Sequence, residues 1–177
     1  KARVTAVQEP TGEAEASVQA VAQLAASYDV VVTPGTQFAG VGTVAQEYPD
    51  TDFILVDTFP TDAQGQEVAL DNLYAMRFAG QESGFFAGVA AALETVTNQV
   101  AVVTGIAYPA NVDCQYGFEA GVNYANAHYG TAAQLVELPA YAGTDRTGAN
   151  VGGNYIGSFN DASGGRMVGG ALSSAGC

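Results

Sequence analysis

Short β-branched apolar runs alternate with segments of helical spacing, and this alternation constrains the fold more than any other feature of the chain. Residues 29–33 read DVVVT, a continuous apolar run of the kind expected of a strand covered on both sides. Before it, residues 13–27 place Val18, Val21, Leu24 and Ala25 on one face of a helix. After it, Phe38, Val41, Val44, Ala45 and Tyr48 again follow helical spacing, and residues 52–57 (DFILVD) form the next buried strand. Residues 58–71 have few periodic apolar positions and read as a loop. Residues 72–78 and 99–104 read as strands. Between them, residues 81–95 form a helix whose face of Gly84, Ala87, Gly88, Ala91 and Ala92 lets it lie close to a sheet.

The pattern continues with a helix over 110–129, which aligns Cys114, Phe118, Gly121, Val122 and Ala125. A short strand over 135–138, a polar stretch over 141–153, a strand over 154–158 and a weak terminal helix over 161–174 complete it. Residues 3–8 alternate weakly and predict an opening strand. Alternation of this kind requires right-handed crossovers, so the expected fold class is α/β, a three-layer sandwich around a mostly parallel sheet. Ligands of such sheets bind outside the carboxyl ends of the strands, here residues 33–35, 56–58 and 104–106.

Charge narrows the function. The 177 residues carry 18 Asp and Glu against 5 Lys and Arg, a formal net charge of -13, and Lys1 is the only lysine. Phosphate backbones and anionic membrane surfaces both demand clustered cations, so neither nucleic acid nor a lipid surface is an expected partner. Apolar residues make up 48% of the chain, enough for a sizeable core. No run is long and apolar enough to span a bilayer. The first residues read as strand rather than signal peptide, so the chain is expected to be a segment of something larger. Cys114 and Cys177 fit no metal motif; a bridge between them is open on sequence grounds.

Asp57 is the leading polar candidate. It ends an apolar strand where ligands collect, and an ionised carboxylate can accept hydrogen bonds from a pair of ribose hydroxyls. The competing reading is that Asp57 caps its own turn. Gly35 permits a tight strand-to-helix turn followed by Thr36, and Phe38 is either a stacking residue or the first core residue of its helix. Residues 40–45 (GVGTVA) match a dinucleotide pattern, but the glycines fall several residues after the strand rather than in the turn that closes it. The sole histidine, His128, reads as solvent-facing, and no nucleophile elbow occurs, so no enzyme activity and no cofactor or metal is expected.

Five segments together resemble the basic membrane protein (BMP) family of ABC-transporter substrate-binding lipoproteins, which includes purine-nucleoside receptors. They are residues 28–39 (YDVVVTPGTQFA), 47–57 (EYPDTDFILVD), 71–91 with its DN and ESGFFAGVAA pieces, 117–122 (GFEAGV) and 154–161 (NYIGSFND). They run in the family's order over nearly the whole chain. The resemblance implies a lobe of a type I periplasmic-binding fold, with residues 1–153 as an N-terminal lobe lacking its first strand and helix, and 154–177 as the crossover into a second lobe. It implies a monomeric, extracytoplasmic, lipid-anchored receptor that passes a nucleoside-like solute from an interlobe cleft to an ABC permease. By position, Asp57 resembles the family's ribose-holding acid, Phe159 a stacking residue, and Gly35, Thr36 and Phe38 residues of the cleft edge. Two other readings remain: a sensor lobe of a signalling protein or regulator, and an oxidoreductase domain of NAD type resting on Gly40, Gly42 and Asp57.

Overall fold

The computed structural model describes residues 2–145 and 147–177. The chain forms two compact units, one ending at Phe78 and the other starting at Ala79.

In the first unit, α1 (Ala14–Ala25) leads into β1 (Val30–Pro34). A single 3-10 turn over Thr36–Phe38 precedes α2 (Val41–Glu47), and β2 (Asp52–Val56) and β3 (Leu73–Met76) follow. The strands lie in the order β1-β2-β3, and both pairings are parallel. The core is mainly aliphatic, with Phe53 at its centre. Val21 and Ala25 of α1, Val41, Val44 and Ala45 of α2, and Val31, Phe53, Leu55 and Leu73 of the sheet form one buried cluster. At about 25 cal/mol per Å² of apolar surface, each fully buried Val, Leu or Phe in it contributes about 1.5–3 kcal/mol. The long loop after β2 is tied to the unit through Asn72, whose Nδ2 donates to the carbonyls of Ala45, Tyr48 and Thr51 at 3.0, 3.0 and 2.9 Å.

Two expectations for this unit change. Burial along β1 alternates: Val31 and Thr33 face the core, while Val30 and Val32 are 46% and 58% exposed, so the helices of this unit, α1 and α2, cover one face of its sheet. Residues 3–8 form no strand and join no ladder, and Val4 is 88% exposed. A weak period-2 pattern does not by itself make a strand: Val7 as well as Val4 stays exposed, so no apolar face draws this segment into the sheet.

The second unit begins with α3 (Gly80–Glu94) and α4 (Pro109–Tyr129), between which lie β4 (Gln99–Val100) and β5 (Val103–Thr104). Beyond α4, which ends on left-handed Gly130, come β6 (Gln134–Leu135), the hairpin strands β7 (Gly143–Thr144) and β8 (Asn150–Gly152), β9 (Asn154–Tyr155) and α5 (Ala162–Ser174). β4 pairs in parallel with β6, β5 pairs in parallel with β9, and β7 and β8 are antiparallel.

The small face of α3 meets a helix, not a sheet. A Cβ on Gly84 or Gly88 would collide with the carbonyl oxygens of Cys114 and Phe118 in α4. Reciprocally, a Cβ on Gly117 or Gly121 would collide with those of Gln81 and Phe85 in α3. Four missing side chains thus bring two backbones into contact.

The predicted strand over 99–104 is split, and Asn154, 2% exposed, explains the break. Its Nδ2 donates to Val102 O at 3.1 Å and Val136 O at 3.0 Å, and its Oδ1 accepts from Leu138 N–H at 2.9 Å. A side chain therefore takes the place of ladder bonds between the two short parallel pairs. Beside it, the Tyr155 hydroxyl donates to Gln115 Oε1 at 2.6 Å, and burial raises the Tyr155 pKa above the ordinary phenol value. Cys114 and Cys177 are not bridged.

Candidate functional site

The carboxyl ends of the strands are built differently in the two units. In the first, β1 and β2 are in register through Pro34 and Val56, which sets Gly35 and Asp57 at the next step of the sheet. Gly35 N–H donates to Val56 O at 2.9 Å and carries the ladder one residue further. Its φ of 116° belongs to the region that L side chains rarely adopt, and a Cβ there would also crowd the Gln37 side chain. Thr36 opens the 3-10 turn, and Phe38, which closes it, packs against the aliphatic core.

Asp57 N–H donates to Met76 O at 2.6 Å, and its backbone turns left-handed, with φ 69°. Only Asp57 and Asn98 do so among the described residues other than glycine. Among the described residues, no hydrogen bond or ion pair to the Asp57 carboxylate occurs. The other turn acids behave differently. Asp62 accepts from Gln64 and Gln66 N–H, Asp145 from Thr147 and Ala149 N–H, and Asp161 from Ser163 and Gly164 N–H. Those three side chains cap backbone; Asp57 does not, although it stands where capping was the competing reading.

In the second unit the corresponding strand ends carry aromatic rings. Phe159 follows β9, is 59% exposed, and lies with its ring centroid 6.0 Å from that of Tyr108. Tyr108 precedes Pro109, the first residue of α4. Sequence reasoning named Phe159 but missed Tyr108; the available signal was its place between a strand end and a helix-opening proline.

Gly40 and Gly42 do not form a phosphate-binding turn. The Thr36–Phe38 turn separates them from β1; Gly40 caps α2 and Gly42 lies inside it. A Cβ on Gly42 would sit 2.5 Å from the Thr61 carbonyl oxygen, so this glycine admits the following loop rather than a pyrophosphate.

Two depressions are present, and the first reaches the end of β1 at Thr33 and Pro34. A groove of about 140 Å³ runs beside β1, with Thr5, Val7, Leu24, Tyr28, Val32 and Phe38 among its walls. Another, of about 450 Å³, lies between α3 and α4 against Phe85, Phe86 and Tyr116. Both are predominantly apolar. His128 is exposed and its ring lies 4.2 Å from that of Tyr124. No group of three or more metal-ligating side chains occurs among the described residues. No described helix is long and apolar enough to cross a membrane.

The fold has solved counterparts. The structure of ABC transporter solute-binding proteins from Aeropyrum pernix K1 superposes with a TM-score of 0.73 at 21% identity, over 93% of this chain and 41% of that one. At that identity the likeness establishes the fold, a periplasmic-binding-protein-like α/β architecture with parallel strand pairing. Among curated proteins, the chain is 29% identical over 135 residues to basic membrane protein A2 of Borrelia garinii subsp. bavariensis, covering 76% of this chain and 33% of that protein. It is 32% identical over 93 residues to the transcriptional activator protein med of Bacillus subtilis, covering 52% of this chain and 26% of that one. The chain thus spans about a quarter to a third of the length of these relatives. The family model described as "Bmp: ABC transporter substrate-binding protein PnrA-like" matches residues 3–138, more than half of the chain. The chain belongs to the Bmp family of PnrA-like ABC transporter substrate-binding proteins.

Proposed function

We propose that this chain is part of an extracytoplasmic solute receptor for an ABC importer, and that its ligand is a nucleoside or a related small polar solute. The family supports the receptor class and the permease as partner. The observation that carries the nucleoside reading is Asp57. It is an acid at the carboxyl end of a parallel strand, held at φ 69°, and its carboxylate is engaged by no described residue. Left-handed backbone at a non-glycine residue is a strain that proteins retain where it aims a functional group. An ionised carboxylate there suits two sugar hydroxyls, with Gly35 and Thr36 at the adjoining strand end. Within the second unit, Phe159 is proposed separately as a ring on which a base stacks. Phe38, which packs on the core, completes the proposed set at the edge of β1. On this reading residues 1–153 belong to one lobe and 154–177 begin the next, the intact receptor is a monomer, and a lipid anchor outside this chain holds it at the membrane.

A thermal-shift screen with nucleosides, free sugars and amino acids tests the proposal, because a ligand that binds only the folded state raises its melting temperature. Nucleosides should raise it in proportion to their affinity. No shift with any nucleoside, alongside a shift with another solute, would keep the receptor and remove the nucleoside.

The similarity to the transcriptional activator med gives a second reading a specific basis: the same lobe used as a ligand sensor in a regulator. Sequencing the surrounding gene separates the two. A lipid-attachment cysteine behind a signal peptide marks transport, and a DNA-binding segment marks regulation.

A further inference from the structure

We infer that Gly105 is a positioning residue for ligand binding: it acts through Phe159, and together with Tyr108 it makes a preset aromatic corner for a planar heterocycle. The inference rests on the nucleoside reading above and adds to it two residues and a reason for the glycine.

β5 and β9 pair through Val103 with Asn154 and Thr104 with Tyr155. The bonding continues past both strands, with Ile156 N–H to Thr104 O at 3.0 Å and Gly157 N–H to Gly105 O at 2.7 Å. Gly105 and Gly157 therefore lie abreast at the end of the pair. Gly157 has φ 83°, a backbone that glycine adopts readily, and it turns the chain. Gly105 is not among the glycines of positive φ, so its own backbone does not demand glycine. Space does. A Cβ on Gly105 would lie 2.5 Å from Cε1 and 3.0 Å from Cγ of Phe159. The ring of Phe159 rests on the backbone of Gly105, where no side chain can stand without displacing it.

That seat is not a core contact, since Phe159 is 59% exposed. Both loops that frame it are braced. Tyr108 N–H and the Asn111 side chain both donate to Ile106 O, at 2.8 and 2.7 Å. On the other side, Asn160 N–H donates to Ser158 Oγ at 3.1 Å, and Asp161 caps α5. Tyr108 stands beside the seated ring at an interplanar angle of 36°. An aromatic ring kept wet, yet fixed on one side by backbone and flanked by a second ring, is organised before anything binds. A planar base meeting it loses less conformational freedom than one that must order a free side chain.

The test combines nuclear magnetic resonance with a double-mutant cycle. In the wild-type protein the Gly105 Hα resonances should be shifted upfield by the Phe159 ring current, and Phe159→Leu should return them to ordinary values. Calorimetry then compares adenosine with ribose for wild type, Gly105→Ala, Phe159→Leu and the double variant, each checked for an intact circular dichroism spectrum. Gly105→Ala should weaken adenosine about tenfold or more and leave ribose unchanged, so that selectivity for the ring falls. In the Phe159→Leu background the same substitution should change adenosine affinity by less than twofold, because there is no ring left to displace. Tyr108→Leu should weaken adenosine several-fold. Ordinary Gly105 Hα shifts, additive effects in the cycle, or equal losses for adenosine and ribose would each overturn the inference. If wild type binds adenosine and Gly105→Ala binds it equally well, the positioning role fails while the nucleoside reading stands. If wild type binds neither adenosine nor any other nucleoside, both fail.

Discussion

Both units bury an apolar cluster, but they bring their helices together by different means. The first buries aliphatic side chains between two helices and one face of a three-stranded parallel sheet. The second presses two helix backbones together through Gly84, Gly88, Gly117 and Gly121, and ties its short strand pairs with the Asn154 side chain. Aliphatic packing tolerates small changes of volume, because neighbouring side chains can shift. A glycine facing a carbonyl oxygen has no such slack, and a buried amide has no substitute for its partners. Chemistry should therefore be more forgiving in the first unit than in the second.

The sharpest way to break this comparison is to add volume. Gly88→Leu should destabilise the second unit by about 3 kcal/mol or more, at the upper end of overpacking effects, because the obstacle is backbone rather than a movable side chain. Val44→Ala in the first unit should lower stability by about 1–3 kcal/mol through lost burial and a partial cavity. Urea titration of both variants decides; a milder loss for Gly88→Leu than for Val44→Ala would reverse the comparison.

Next is Asn154→Ala. It strands the Leu138 N–H and the Val102 and Val136 carbonyls, and should remove about 2–3 kcal/mol, since a buried unpaired polar group costs about 1–3. Amide hydrogen exchange at Leu138 should accelerate in the variant. Unchanged exchange would mean that another group pairs with it.

Asp57→Gly gives a smaller effect of opposite sign. Glycine relieves the left-handed backbone, so stability should hold or rise by up to about 1 kcal/mol in thermal melting, while ligand binding is lost. A clear loss of stability would show that the Asp57 side chain supports the turn.

The smallest effect concerns acid. Hydrogen bonds from the Ser163 side chain and the Gly164 N–H hold the Asp161 carboxyl below its ordinary value of 3.8. Because the folded value is depressed, its contribution to α5 is present above pH 3.8 and is lost as the pH falls through the lower folded value. Asp161→Ala should lose this acid-dependent component in a helicity titration, and a titration identical to wild type would contradict the cap.

The first unit was the more legible in the sequence. Val18, Val21 and Ala25, then Val41, Val44 and Ala45, recur at helical spacing, and residues 52–57 carry an apolar run that only a strand uses economically. One-sided cover of β1 was not legible, since Val30 and Val32 are as apolar as the buried Val31. In the second unit the small face of α3 was visible, but glycine and alanine do not say whether a helix or a sheet will approach them. The break between β4 and β5 was hidden because its cause, Asn154, lies far along the chain and acts through its side chain. The site divides in the same way. Asp57 could be picked out as an acid ending an apolar strand, whereas its left-handed backbone and uncapped carboxylate are three-dimensional facts. Tyr108 and the seat on Gly105 depend on Phe159 folding back across a strand pair, which no local pattern announces.

Whether Asp57 holds the ligand's hydroxyls is tested most directly by isothermal calorimetry of wild type against Asp57→Ala with the tightest-binding nucleoside. Two charge-assisted hydrogen bonds at about 1.5–3 kcal/mol each predict a loss of roughly a hundredfold or more in affinity, at about 1.4 kcal/mol per tenfold, with the fold intact. A change of less than about threefold, well under that 1.4 kcal/mol, would contradict the claim and leave Asp57 as a turn residue alone.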